Sequence, residues 1–180
     1  MKYVVGFTAQ IGMIVGVALA GKAEPLRVTV TPTVIEYPEL DAAEHHCMTE
    51  AIYWEARNQD LAGKIAVGNV ILNRVASDRF PDTICGVVHQ GPMDGSPISL
   101  HRCQFSYYCD GRSDAPPTEN ILEIQAWDFA DIIAEALMYG EVDDNTNGST
   151  YYHADYVSPW WNEIYTEVAV VDSHIFYVHN

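Results

Sequence analysis

The stretch His45–Asp60, HHCMTEAIYWEARNQD, reads as an amphipathic helix whose apolar stripe contains an acid. At about 100° per residue, Met48, Ala51 and Ile52 share one face, and Glu55 projects between them. Glu50 projects to the opposite side, where a solvated carboxylate is expected. Any fold that buries this stripe must therefore accommodate the Glu55 carboxyl at its core. There it loses hydration, the charged form is disfavoured and the pKa rises. Two readings follow. Glu55 is a structural glutamate neutralised by Arg57, Arg74 or a backbone group, or it is a carboxylic acid kept protonated near neutral pH for proton donation.

The first helix is expected over about Ala43–Asn58. Asp60 then reads as the N-cap of a second helix through LAGKIAVGNVILNRVA, with Leu61, Ile65, Leu72 and Val75 at helical spacing. Gly63 and Gly68 lower its helix propensity, which points to close packing against a neighbour. Pro81 stands near the start of a short third helix, and a loop-rich span runs from Gly91 to Pro117. Thr118 is the expected cap of a long helix with Ile121, Ile124, Ala130, Ile133, Ala134 and Leu137 as its buried stripe, stopped by Gly140. The final segment, TEVAVVDSHIFYVHN, is expected to hold a short strand. The fold class is mainly α, of α+β type, with loop-rich aromatic segments and a short C-terminal strand region.

Residues 1–23 contain one early lysine, an uncharged run from Tyr3 to Gly21 and an A-x-A site at Ala18-Leu19-Ala20, the pattern of an export signal. An uncleaved anchor is the rival reading, and the only membrane contact expected. Residues 24–43 read as a linker, and 44–180 as one catalytic domain outside the cytoplasm, in the periplasm, envelope or extracellular space. Four cysteines, Cys47, Cys85, Cys103 and Cys109, suit an exported chain with two disulfides. Three connectivities are open; Cys103–Cys109 would close a short loop and leave Cys47–Cys85 to join two helices. A zinc site is the alternative, although no C-x-x-C pair is present. The formal net charge is −16, and no Lys or Arg follows Arg112. That excludes nucleic acid as a partner, because a phosphate backbone is held by clustered cations.

Aromatic residues cluster in segments read as loops, at FSYY (Phe105–Tyr108), TYYH (Thr150–His153) and PWW (Pro159–Trp161). Sugar rings have apolar faces and hydroxyl edges, so such platforms beside Gln and His donors suit a glycan groove. Together, IYWEARNQDLAGKIAVGNVILNRVASDRFPDTICGVVHQ, CQFSYYCDG, GSTYYHADYVSPWW and SHIFY resemble the bacterial and phage cell-wall hydrolases related to the spore-cortex lytic enzyme. The resemblance covers roughly Cys47–Tyr177. It implies a lysozyme-like, mainly helical fold acting on peptidoglycan glycan strands; no cofactor or metal is expected. It also implies that the glutamate of the EAR motif is catalytic, and that glutamate is Glu55. The loop it places near the acid makes Gln104, Ser106 and Tyr108 candidates for substrate binding, with Tyr152 and His153 beside them; His153 also reads as a structural histidine. Two departures stand out: Asn58 replaces the usual glycine after EAR, and Asp172 replaces one before H-x-F-Y.

No second carboxylate matches the claim of Glu55; Asp110 in CDG reads as a turn residue. One-acid chemistry implies a lytic transglycosylase cleaving between N-acetylmuramic acid and N-acetylglucosamine. The competing readings are simple muramidase hydrolysis, a zinc amidase using His153, Asp155 and His174, and a non-catalytic glycan-binding module.

Overall fold

The computed structural model describes residues 3–7, 32–92, 98–100 and 102–179, with side chains from Tyr37 onward. Most of the expected export signal thus lies outside the described residues. The chain divides into two units, 1–39 and 40–180. In the first, β1 (Tyr3–Phe7) pairs antiparallel with β2 (Pro32–Glu36). No helix among the described residues is long and apolar enough to cross a membrane.

In the second unit each helix begins on a side-chain oxygen that takes up a free backbone N–H. Asp41 accepts from Ala43 and Glu44 to start α1 (Ala42–Ala56), and Asp60 accepts from Gly63 to start α2 (Leu61–Val75). Thr83 caps α3 (Ile84–Val88), and Asn120 caps α4 (Ile121–Met138). The cap at Asn120 corrects the expectation of Thr118. Pro81 stands three residues ahead of α3, and Thr118 yields to Asn120, whose amide oxygen reaches the Leu122 N–H at 3.0 Å. Gly140, at φ 72°, ends α4: its own N–H reaches Leu137 O and that of Glu141 reaches Ala136 O.

The three helices α1, α2 and α4 pack together with α3 against α1 and α2. Met48, Ala51 and Ile52 are fully buried among Ile71, Val87, Val88, Phe105, Ala130 and Ala134. Ala130, Ile133, Ala134 and Leu137 form the buried stripe of α4, but Ile121 is 63% exposed. At that end Glu123 is the residue that meets α1, accepting from Tyr53 Oη at 2.5 Å and from Arg57 at 3.4 Å, which turns Ile121 outward.

The C-terminal part is more strand than the sequence suggests. Strands β3 (Tyr151–Ala154), β4 (Thr166–Val171) and β5 (His174–Val178) form an antiparallel sheet in the order β3-β5-β4. The TYYH segment, read as loop, is β3. Its residues pair with the last strand, Tyr152 opposite Phe176 and His153 opposite Ile175, so the hydrogen bonds that make it a strand come from a distant segment of the chain. Phe176 packs with Ala66 and Val70, which seats the sheet on α2.

A two-residue turn, Asp172-Ser173, joins β4 to β5, with Asp172 in the left-handed region at φ 51°. The Asp172 carboxylate accepts from the Asp60 N–H at 3.0 Å, and Ser173 Oγ donates to Gln59 Oε1 at 2.9 Å. The hairpin tip is therefore tied to the junction of α1 and α2. Asn58, in that junction, does not adopt the left-handed conformation; the helix end is closed instead by Gln59 N–H on Ala56 O and by Lys64 Nζ on the carbonyls of Arg57 and Gln59.

Gly68 explains its own place in α2. A Cβ there would lie 2.3 Å from Leu137 Cδ1 and 3.4 Å from Ile52 Cδ1, so a side chain at this position would force Leu137 to shift where α2 meets α4 and α1. Gly68→Val should cost roughly 1–3 kcal/mol through overpacking. Urea unfolding measures this; an unchanged midpoint would mean that the helices do not meet as closely as described.

Candidate active site

Glu55 lies in the last turn of α1 and faces the sheet across the α1–α2 junction. The Tyr152 hydroxyl of β3 donates to Glu55 Oε2 at 3.2 Å. Arg74, from the last turn of α2, is the nearby cation; its Nε donates to Thr150 O at 2.8 Å, and its guanidinium carbon lies 5.2 to 5.8 Å from the rings of Phe80, Phe105 and Tyr151. Arg57, the other partner considered for Glu55, pairs with Glu123 instead. Burial pushes the Glu55 carboxyl above the usual carboxylate range, against the Tyr152 hydrogen bond and the Arg74 charge, which favour the ionised form. Burial raises the Tyr152 phenol well above its ordinary value, so it stays a donor.

Two cavities meet at Glu55. One of about 850 Å³ is lined by Glu55, Arg74, Gln104, Tyr152, Trp161 and Tyr165, among others. The second, about 270 Å³, is polar and lies towards Trp54, Asn58, Tyr156 and His174. Glu55 is the one carboxylate among the residues lining either cavity. Trp160, on the rim of the larger one, is 78% exposed.

The other expected site residues divide. Gln104 and Tyr152 line the larger cavity with Glu55. Ser106 and Tyr108 are exposed and line neither cavity; Tyr108 stacks on His89 with ring centroids 4.1 Å apart. The segment Ser106–Cys109 is a single 3₁₀ turn, and it is Tyr107, stacked on Trp54, that points inward. His153 is buried, with one ring nitrogen 3.0 Å from Tyr177 Oη and the other 2.9 Å from Ala154 O; it braces the sheet and packs on Trp161 without itself lining either cavity. The disulfides are Cys47–Cys85, which joins α1 to α3, and Cys103–Cys109, which brackets the 3₁₀ turn.

Glu50 corrects the reading of α1. Its side chain is only 12% exposed and pairs with His46 at 3.3 Å, and burial followed by the nearby Asp114 charge raises its pKa. The loop carrying Tyr107 and Asp114 covers the face that a single-helix projection leaves open. Asp110 accepts from the Arg112 N–H at 2.8 Å, as a turn residue does. The sequence reading did not single out Arg79, Tyr165 or His179 as site residues, although all three line the larger cavity; nothing in their local sequence marks them.

The family model for cell wall hydrolases matches residues 58–177, more than half of the chain. The chain belongs to the cell wall hydrolase family. The matched span begins three positions after Glu55, so the place of the acid rests on the geometry above. Among the relatives of this cell wall hydrolase are the spore cortex-lytic enzymes of Bacillus subtilis, 30% identical over 135 residues, and of Halalkalibacterium halodurans, 29% identical over 130 residues. Each alignment takes in 72% of this chain, which spans about a third of the length of these curated relatives. The fold is similar to the catalytic domain of the Bacillus cereus SleB protein, with TM-score 0.52 and 26% identity over 78% of this chain and 93% of that one. It is equally similar to the catalytic domain of the germination-specific lytic transglycosylase SleB from Bacillus anthracis, with TM-score 0.53 and 26% identity over 77% of this chain and 97% of that one. The mainly helical, lysozyme-like α+β architecture is thereby shared with both.

Glu55→Gln should stabilise the fold while removing its acid. Because the folded pKa is raised, the native state holds the proton longer than the unfolded chain, and wild-type stability falls as pH rises from about the ordinary 4.5 through the folded value. The glutamine variant lacks that fall, so its advantage in Tm should grow with pH, by roughly 2–4 °C per kcal/mol in a domain of this size. Parallel melting curves from pH 4 to 8 would decide it. Tyr152→Phe removes a bond that favours the carboxylate, so the Glu55 pKa rises further, and if Glu55 is the acid of the reaction the alkaline limb of the pH–activity profile should move to higher pH. An unmoved limb would separate Tyr152 from the ionisation of Glu55.

Proposed function

We propose that this cell wall hydrolase is a peptidoglycan-degrading glycosidase that cleaves between N-acetylmuramic acid and N-acetylglucosamine, as a lytic transglycosylase. The observation that carries the reading is a single desolvated carboxyl group at the meeting point of two cavities. Enzymes that activate water with a second carboxylate hold it across the scissile bond, and neither cavity wall supplies one. Glu55, protonated, gives its proton to the glycosidic oxygen. The resulting carboxylate then takes the proton of the muramic 6-hydroxyl, which attacks C1 of the same sugar and closes a 1,6-anhydro ring. One group thus serves as acid and then as base, so its pKa must allow both forms. Burial raises it, while Tyr152 and Arg74 keep the carboxylate attainable. The chain's relatives in Bacillus, named as cortex-lytic enzymes and as a lytic transglycosylase, support the same chemistry.

Action on peptidoglycan places the protein in the envelope or outside the cell, and residues 1–23 serve as the export signal in this reading. The zinc amidase reading loses support because both ring nitrogens of His153 are committed within the sheet and, among the described residues, no three candidate ligands converge.

Purified peptidoglycan incubated with the wild type and with Glu55→Gln, products read by mass spectrometry, tests the proposal. Anhydro-muramyl ends from the wild type, falling at least about a hundredfold in the variant, are expected for loss of the general acid. Reducing ends would mean hydrolysis by water. Cut stems on intact strands would overturn the glycosidase reading.

A further inference from the structure

The larger cavity carries two guanidinium groups that proton transfer at a neutral glycosidic bond does not require. Cations are scarce in this chain, with nine Lys and Arg against 25 Asp and Glu, and an arginine on its surface is surrounded by available acids. Arg57 is paired in that way. Arg74 and Arg79 are not: among the described residues, neither has a carboxylate oxygen within the 4.0 Å of an ion pair. Asp78 and Asp82 flank Arg79 in sequence and still leave it unpaired. Both arginines line the cavity that contains Glu55, and both act on the phenol of Tyr151 in its wall.

Arg74 has a partial explanation in the site already described. It favours the Glu55 carboxylate from a distance, lies over three aromatic rings and spends Nε on Thr150 O; one terminal nitrogen is nevertheless buried without an acceptor. Arg79 has none of these duties. It is exposed, its charge does not bear on Glu55, and its side chain faces the open cavity. A guanidinium in such a position offers a planar fork of donors matched to a carboxylate. The surrounding negative surface repels anions, so a positive wall inside the groove gives them one local place to settle.

We propose that the Arg74–Arg79 wall binds a carboxylate carried by the muramic substituent of the glycan, and so selects strands that retain it. This rests on reading the cavity as a peptidoglycan groove. The carboxylate has two sources, the lactyl group itself when bare and the stem peptide when one is attached.

The test compares kcat/KM for the full chain and its Arg79→Gln and Arg79→Lys variants on three substrates: intact peptidoglycan, peptidoglycan with its carboxylates converted to amides, and strands stripped of stems by an amidase. Arg79 is exposed, so its variants should fold. On intact substrate Arg79→Gln should lose about tenfold, the scale of one charge-assisted contact, with Arg79→Lys recovering part. Amidation should cost the wild type a similar factor and the glutamine variant nothing further. Stripping exposes the lactyl carboxylate: a persisting wild-type advantage there means that the wall also accepts the bare lactyl group, and its disappearance restricts the contact to carboxylates of the stem. A wild type indifferent to amidation, or a glutamine variant equally impaired on amidated substrate, would overturn the proposal while leaving the glycosidase reading intact. Failure of the wild type to cut any of the three would overturn that reading and this proposal with it.

Discussion

The hydrogen bond from Tyr152 to Glu55 is where the two halves of the domain meet, and most of the structure can be understood as what holds it in register. Its donor comes from a short strand and its acceptor from the first helix, 97 positions apart. Neither element reaches the other by itself. The sheet is seated on α2 through Phe176 against Ala66 and Val70, and its hairpin tip is tied to the α1–α2 junction by Asp172 and Ser173. The approach to β3 is fixed by Asp144, which accepts from Thr146 and Gly148 and from Asn73 of α2. Burial alone would raise the Asp144 pKa; these hydrogen bonds outweigh it and hold the carboxylate below its ordinary value, so the loop is organised by a charge that stays ionised. A one-residue slip of β3 would turn Tyr152 to the other face and leave Glu55 without its donor.

The same arrangement sets the electrostatic state of the acid. Desolvation of a carboxyl is costly, and a fold selected for stability alone would fill this position with an aliphatic side chain like those of Met48 and Ile52 beside it. The chain instead surrounds Glu55 with a phenol that cannot easily ionise and a guanidinium that does not touch it. A direct ion pair would have pulled the pKa down. A wholly apolar surrounding would have raised it until no base remained. The proposed mechanism asks a single group to give a proton and then take one, and the geometry between those limits is compatible with both.

How much of this was legible in the sequence differs by element. The helices were, because each has its periodic signal within its own span; the Asp60 cap is an example where a local signal had a local cause. Glu55 was legible for the same reason, since its neighbours on the stripe are in its own helix. Strand β3 was not. Its four residues sit between turn-formers, and the pairing that makes it a strand belongs to β5. Glu50 was misjudged because one helix projection contains no information about the loop that later covers it. Within that loop, Gln104 lies in the cavity while Ser106 and Tyr108 face out, since a 3₁₀ turn closed by Cys103–Cys109 changes which side chains share a face. Arg79, Tyr165 and His179 come from three separate segments, and only the fold brings them to one wall.

A disulfide and two charged side chains hold α1 at both ends. Near its N-terminal end the helix is bound to α3 by Cys47–Cys85 and by Glu44, whose carboxylate accepts from the Ile84 N–H at 2.5 Å, at the N-terminus of that short helix. At its other end Lys64 satisfies the carbonyls of Arg57 and Gln59 that the helix leaves unpaired, and it is 5% exposed while doing so. A helix free at either end would share its fraying with the residue in its last turn. Glu55 occupies that last turn, beside an open cavity where fewer packed neighbours restrain it. Pinning both ends of the helix therefore keeps the carboxyl at one place between two cavities, and the general acid proposed here needs that placement as much as it needs its pKa.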